Sequence, residues 1–165
     1  MPITTEVVPV TSAMVQALLA GDDVFADRYG VSVAPGYLDF PDVLPAVRDA
    51  LAAGTPPEWF SHLILHRETL TVVGFGGFKG PPVDGEVEIG YSVAPAFRRR
   101  GHASSAVAQL VHRAHARGLQ VVSAHTLAEP NASTRLLERA GFTRTEVLDD
   151  EELGDVWRWE RRLDV

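Results

Sequence analysis

Apolar and polar positions along the chain change period several times, and each change marks an element. Residues 3–9 alternate and predict a first strand, and "TSAMVQALLAG" (11–21) predicts a helix capped by Thr/Ser and ended by glycine. A second helix is expected over about 42–53, with Pro45 in its first turn, where proline is tolerated. "WFSHLILHR" (59–67) and "TLTVVGFGGFKG" (69–80) read as successive strands, and the turn cluster "GPPVDG" joins the latter to a third in antiparallel fashion. "EVEIGYSV" (86–93) alternates cleanly, with Val87, Ile89, Tyr91 and Val93 on one face and Glu86, Glu88, Gly90 and Ser92 on the other.

Helical spacing returns at Ala103, Ala106, Val107, Leu110, Val111 and Ala114, predicting a helix over about 102–117 that ends at Gly118. "LQVVSAHTL" (119–127) is a strand, "NASTRLLERAGF" (131–142) a short helix stopped by Gly141, and Phe142 opens a further strand. "DVWRWERRL" (155–163) alternates as a last strand, antiparallel to its neighbour. The order predicts an α/β (α+β) fold in one domain, residues 1–165: a mixed, mostly antiparallel sheet of about seven strands with helices on both faces.

Composition narrows the function classes. With 165 residues, 45% of them apolar, the chain is one domain with a substantial core. No apolar run approaches the roughly 20 residues that span a bilayer. The N-terminus lacks the basic and apolar regions of a secretory signal, so the cytoplasm is the expected compartment. Cysteine is absent, which excludes disulfides and thiolate metal sites. A net charge of −7 argues against general nucleic-acid binding.

On this acidic body Arg98, Arg99 and Arg100 stand directly before Gly101 and a helix of small residues. They are either a solvated surface cluster or a site for a strongly anionic ligand. A strand ending at Val93, a short loop and a helix opening near Gly101 would gather unpaired N–H groups and the positive end of the helix dipole, which suits a pyrophosphate. Gly101 permits close approach of the backbone, Ala103 keeps the first turn free of bulk, and Ser104 offers a hydroxyl. The pattern is neither a Walker A loop nor a dinucleotide GxGxxG.

"RRRGHA" (98–103) resembles the Q/R-x-x-G-x-G/A motif of the GNAT superfamily of N-acetyltransferases. "HTLAEPNASTRLLERAGF" (125–142) is similar to the family's second block, N-x-x-S/A-x-x-L-x-x-x-G-F, at the usual distance. Together with "EVEIGYSVAP", these blocks look most like the ribosomal-protein N-terminal acetyltransferase-like branch. The resemblance covers about 69–163; residues 1–68 suit the topology but carry no motif.

The resemblance implies acetyl-CoA as cosubstrate, with its pyrophosphate at Arg98, Arg99, Arg100, Gly101, His102, Ala103 and Ser104, and Asn131 near the pantetheine or phosphate. It implies that the fourth and fifth strands splay apart after a bulge. The backbones of Tyr91 and Val93 would then pair with the pantetheine arm, and the Val93 N–H would meet the acetyl oxygen. It implies transfer to a primary amine by direct attack in a ternary complex. A small molecule or a protein N-terminus would be the acceptor, with no metal, nucleic acid or membrane involved, and the chain a monomer or homodimer.

Glu88 is the preferred base, being nearest the splay; Glu86 shares its face, and His125 at the end of the fifth strand is the alternative. A carboxylate is a weak base for an alkylammonium unless burial raises it or water relays the proton. Asn131 is equally suited to capping the following helix. His112 and His115 lie three apart on a helix, on its polar face rather than as metal ligands.

The family's usual acid is a tyrosine four residues before the G-F pair, and Leu137 occupies that position. Tyr91 reads as a core residue, which leaves Ser133 as the hydroxyl for the leaving sulfur, or solvent in its place. The missing tyrosine keeps a non-catalytic acyl-CoA-binding module as the alternative function. Residues 22–40, long and aromatic between the first two helices, are expected to wall the acceptor pocket.

Overall fold

The computed structural model describes residues 4–40 and 42–163. In chain order its elements are β1 (Thr5–Pro9), α1 (Ser12–Ala20), α2 (Asp22–Tyr29), β2 (Ser32–Val33), α3 (Val43–Ala52), β3 (Ser61–His66), β4 (Thr71–Phe78), β5 (Glu86–Val93), α4 (His102–Ala116), β6 (Val121–Leu127), α5 (Ala132–Arg139), β7 (Thr143–Asp150) and β8 (Gly154–Arg162). Short 3-10 turns at Pro57–Trp59 and Pro95–Phe97 lead into β3 and out of β5.

The expected elements are present, and two more appear in residues 22–40. The first, α2, buries only Phe25, so its apolar stripe is too thin to read as a helix. Its ends are well marked all the same: Asp22 and Asp23 complement the dipole in the first turn, and Gly30 closes the helix in the left-handed region. Gly21 serves both as the end of α1 and as the start of α2. At two residues, β2 is too short to show alternation. Thr11 caps α1 by accepting the Met14 N–H at 3.2 Å, as its position implied.

The strands form one sheet of eight in the order β1-β3-β4-β5-β6-β8-β7, with β2 beside the start of β4. Only β5–β6 and β2–β4 run parallel. The β5–β6 pair needs a crossover, which α4 supplies. Each face carries its own core: Ile89, Leu110, Leu137 and Trp159 lie with α4 and α5, and Val15, Phe25, Val47 and Phe75 with α1–α3.

The sheet is forked at its centre. On the β6 side, β5 pairs only through Glu86, Val87 and Glu88, opposite Val121, Val122 and Ser123. On the β4 side it pairs out to Val93. The expected splay is therefore present, but neither β5 ladder contains a register shift; the shift between Ile64 and Leu65 belongs to the β3–β4 pair. The strands part because β6 turns to pair β8 along its whole length while β5 stays with β4.

Candidate active site

Backbone geometry on the open side of β5 follows from its pairing with β4. The Lys79 N–H donates to the Glu88 carbonyl at 2.9 Å and the Ala94 N–H to the Val73 carbonyl at 2.7 Å. Even-numbered residues therefore exchange hydrogen bonds with β4, and Tyr91 and Val93 turn their backbone groups to the opposite edge, into the fork. The Val93 carbonyl is already engaged by the Arg98 Nε at 3.0 Å, which ties the loop to the strand end. The Val93 and Tyr91 N–H groups face the fork along an edge that no strand pairs among the described residues.

A cavity of about 620 Å³ runs from this edge to the start of α4. Val93, Arg98, Arg99, Gly101, Ala103 and Ser104 line it. Arg99 (φ 64°) and Gly101 (φ 86°) are both left-handed, a loop conformation that turns successive N–H groups toward one side. The helix start has no side-chain cap, so its first-turn N–H groups remain available to an anion.

Two expected residues, Arg100 and Asn131, fall outside the cavity lining, and His102 lines it with its ring held by β1. The Arg100 guanidinium lies over the Phe97 ring, 5.2 Å from its centroid, rather than along the cavity wall. The His102 side chain is buried with its Nδ1 2.8 Å from the Thr5 hydroxyl, so it joins α4 to β1, and the residue lines the cavity as well. Burial, with His66 and Arg100 nearby, holds the His102 imidazolium below its ordinary pKa. Asn131 is a helix cap: its Oδ1 accepts the Thr134 N–H at 3.0 Å while the Thr134 hydroxyl bonds the Asn131 backbone, and it does not line the cavity.

Across the cavity, α5 presents Ala132, Ser133, Leu136 and Arg139. Arg139 extends the cationic wall and was not singled out from the sequence, although Ala132, Leu136 and Arg139 recur at i, i+4 and i+7. Leu137, by contrast, is 0% exposed and belongs to the core. The Tyr91 hydroxyl is buried without a full hydrogen bond among the described residues, and Ser133 is its polar neighbour. Burial raises the Tyr91 pKa and the nearby Ser133 hydroxyl only partly offsets this, so the phenol keeps its proton.

Glu88 is the last β5 residue paired with β6, and it stands where the fork opens. Its Oε2 lies 3.0 Å from both Lys79 Nζ and His125 Nδ1. Burial pushes its carboxyl up, but hydrogen bonds and charge from Lys79 and His125 outweigh that and hold it below the usual carboxylate value. Glu86 is committed elsewhere, paired with Arg158, which also binds Glu160 at 3.1 Å. Lys79 was missed in the sequence: a tight register across "GPPVDG" (80–85) would set it opposite Glu86, whereas the connection takes up 80–87 and sets it opposite Glu88.

A second cavity, of about 480 Å³, lies on the α3 side of the sheet and includes His125 and Lys79 in its wall. Asp39, Tyr91 and Ser92 line both cavities, so the two meet at the fork. Leu38, Asp39 and Phe40 from the 22–40 segment line the second cavity, while α2 and β2 take up most of the remainder of that segment. Among the described residues no group of three His, Asp or Glu side chains is placed to hold a metal ion, and no helix is long and apolar enough to cross a membrane.

Comparison with known proteins bears on the family and the fold. A family model described as an acetyltransferase (GNAT) domain matches residues 11–143. An uncharacterized N-acetyltransferase of Bacillus subtilis strain 168, YjdG, is 29% identical over 107 residues, spanning 63% of this chain and 64% of that relative's length. The structure of RimL, a ribosomal L7/L12 alpha-N-protein acetyltransferase in complex with coenzyme A, superposes with a TM-score of 0.70 at 19% identity, covering 99% of this chain and 96% of the other. That of YncA from Salmonella typhimurium with acetyl-CoA gives 0.61 at 20% identity, covering 98% and 95%. The chain belongs to the GNAT acetyltransferase family.

Proposed function

We propose that this protein transfers the acetyl group of acetyl-CoA to a primary amine by direct attack in a ternary complex. The observation that carries the reading is the meeting of two cavities at the β5–β6 fork: one cationic and lined by an uncapped helix start, the other on the opposite side of the sheet with His125 in its wall. The first suits a phosphorylated carrier, with Arg98, Arg99, Arg139 and the Gly101–Ser104 backbone toward its phosphates. Tyr91 and Val93 would pair with the pantetheine amides as a strand edge, and the Val93 N–H would stabilise charge developing on the acetyl oxygen.

Glu88 acts in the proton-accepting pair together with His125. Where Nδ1–H donates to the Glu88 carboxylate, the lone pair of the imidazole sits on Nε2, the nitrogen free to take a proton. A carboxylate held below its usual pKa is a poor base alone but a good partner for an imidazolium. The amine nitrogen bonds to the carbonyl carbon, the C–S bond breaks, and the amine proton passes to the pair. The departing sulfur takes a proton from Ser133, with Tyr91 behind it, or from solvent.

The test is thiol release over a panel of amines, with acetyl-CoA binding followed by calorimetry. Turnover supports transfer. Tight binding with no turnover on any acceptor would favour the acyl-CoA-binding module, the reading that the enclosed Leu137 keeps in play.

A further inference from the structure

The second cavity differs from the first in its chemistry, and the difference bears on the acceptor. Its wall carries four phenylalanines, Phe40, Phe60, Phe75 and Phe78, from three segments of the chain, the last two both on β4. Phe40 is 72% exposed, a large aromatic left at the cavity mouth with little of its surface covered. Gly76, Gly77 and Gly90 present bare backbone to it, and a Cβ at each of these positions would meet a neighbouring atom at 3.0 Å or less. At 480 Å³ the volume is that of a small-molecule site, which typically runs to roughly 300–1,000 Å³.

Charge is sparse and asymmetric. Asp39 is the single carboxylate among the described residues that line this cavity, and it stands at the junction with the first cavity. The wall's cation, Lys79, is held by Glu88 at the same end as His125. A linear polyamine would place several ammonium groups against one carboxylate, four aromatic rings and a lysine. Each ammonium left without a partner would bear its own desolvation cost. A molecule with one ammonium and an apolar body meets the opposite situation, a carboxylate at the junction and apolar surface beyond it.

We propose that the acceptor is a small primary monoamine on an apolar body about the size of an aromatic ring, its ammonium drawn to Asp39 and its body packed among the phenylalanines. The proposal rests on the acetyl-transfer reading and names the substrate class of that site. Ala46 of α3 is an exposed part of the cavity wall, which provides a way to narrow it without disturbing the core.

The experiment measures kcat/KM for ethylamine, hexylamine, 2-phenylethylamine, spermidine and an alanine-initiated hexapeptide, with acetyl-CoA titrated calorimetrically on the same samples. Each methylene buried is worth about fourfold, so hexylamine and 2-phenylethylamine are expected to exceed ethylamine at least about tenfold and to exceed spermidine and the peptide. Ala46→Trp is expected to cut the preference for 2-phenylethylamine over ethylamine by about tenfold, and Asp39→Asn to raise KM for every monoamine. Preference for spermidine or the peptide, indifference to the apolar body, or turnover of none of the amines overturns the proposal. Acetyl-CoA binding in those samples shows that the cosubstrate reading survives; its absence removes that reading as well.

Discussion

Glu88 Oε2 and His125 Nδ1 stand 3.0 Å apart across the point where β5 and β6 separate. This contact joins a carboxylate on one strand to an imidazole on the other, at the edge of the second cavity. Glu88→Gln and His125→Gln are each expected to lower kcat/KM about 10²-fold, the usual contribution of one acid–base group. On the proposed mechanism, in which the two residues act as a unit, the double variant should be little worse than either single one. Glu86→Gln, whose carboxylate pairs with Arg158, should change kcat/KM less than threefold. Additive losses in the double variant would show that the residues work separately.

The leaving group gives a second test. Ser133→Ala should lower kcat about tenfold with acetyl-CoA affinity unchanged, since its hydroxyl is asked only to protonate sulfur. Tyr91→Phe removes a buried hydroxyl that lacks a full hydrogen bond, so thermal stability should hold or rise. If the Tyr91 phenol replenishes the Ser133 proton, kcat falls in this variant while the melting temperature does not. Wild-type kcat in both variants would assign protonation to solvent.

Much of this site was legible because it depends on local pattern. The alternation in 86–93 placed Glu88 and Val93 on a strand, and "RRRGHA" placed an uncapped helix start beside them. What escaped depends on long-range packing. That His102 turns inward to Thr5 is a fact about a partner 97 residues away, and that Arg100 lies over the nearby Phe97 ring is a choice of rotamer that the sequence does not show. Asp39 gave no signal, since a loop carboxylate reaches a junction of cavities only through the fold around it. The helix α2 was hidden for a simpler reason: one buried residue in eight leaves no period to detect.

The buried core limits what substitution at position 137 can restore. Leu137 is fully enclosed, so Leu137→Tyr must fit a larger ring and a hydroxyl into packed space, at a cost of about 1–3 kcal/mol. Chemical denaturation should show that loss. An unchanged midpoint would mean that the new side chain reaches the groove instead, and kcat would then be expected to rise.

His62 makes the fold sensitive to acid. It is 0% exposed, with Nδ1 donating to the Phe60 carbonyl at 2.8 Å and Nε2 without a partner among the described residues. Burial lowers its pKa to about 4, the Phe60 hydrogen bond opposing and the Arg113 charge assisting. The unfolded chain binds this proton near pH 6.5 and the folded chain only near pH 4, so stability is full above pH 6.5 and falls as pH drops toward 4. Between pH 7 and pH 5 the loss should be about 2 kcal/mol by urea titration, and His62→Leu should remove most of that slope. An equal slope in the variant would assign acid sensitivity to other groups.

Calorimetric titration of acetyl-CoA into wild type and Gly101→Asp addresses the account at its centre. Nothing lies within 4 Å of where a Cβ at Gly101 would project, and aspartate is among the residues that tolerate a left-handed backbone, so the variant should fold. It would place a carboxylate where the phosphates are expected to meet the start of α4. Wild type is predicted to bind with Kd within roughly 1 μM–1 mM, the usual range for enzyme substrates, and the variant at least about tenfold more weakly. No binding by wild type, or a variant within about threefold of it, would contradict the assignment of residues 98–104 as the cosubstrate cradle.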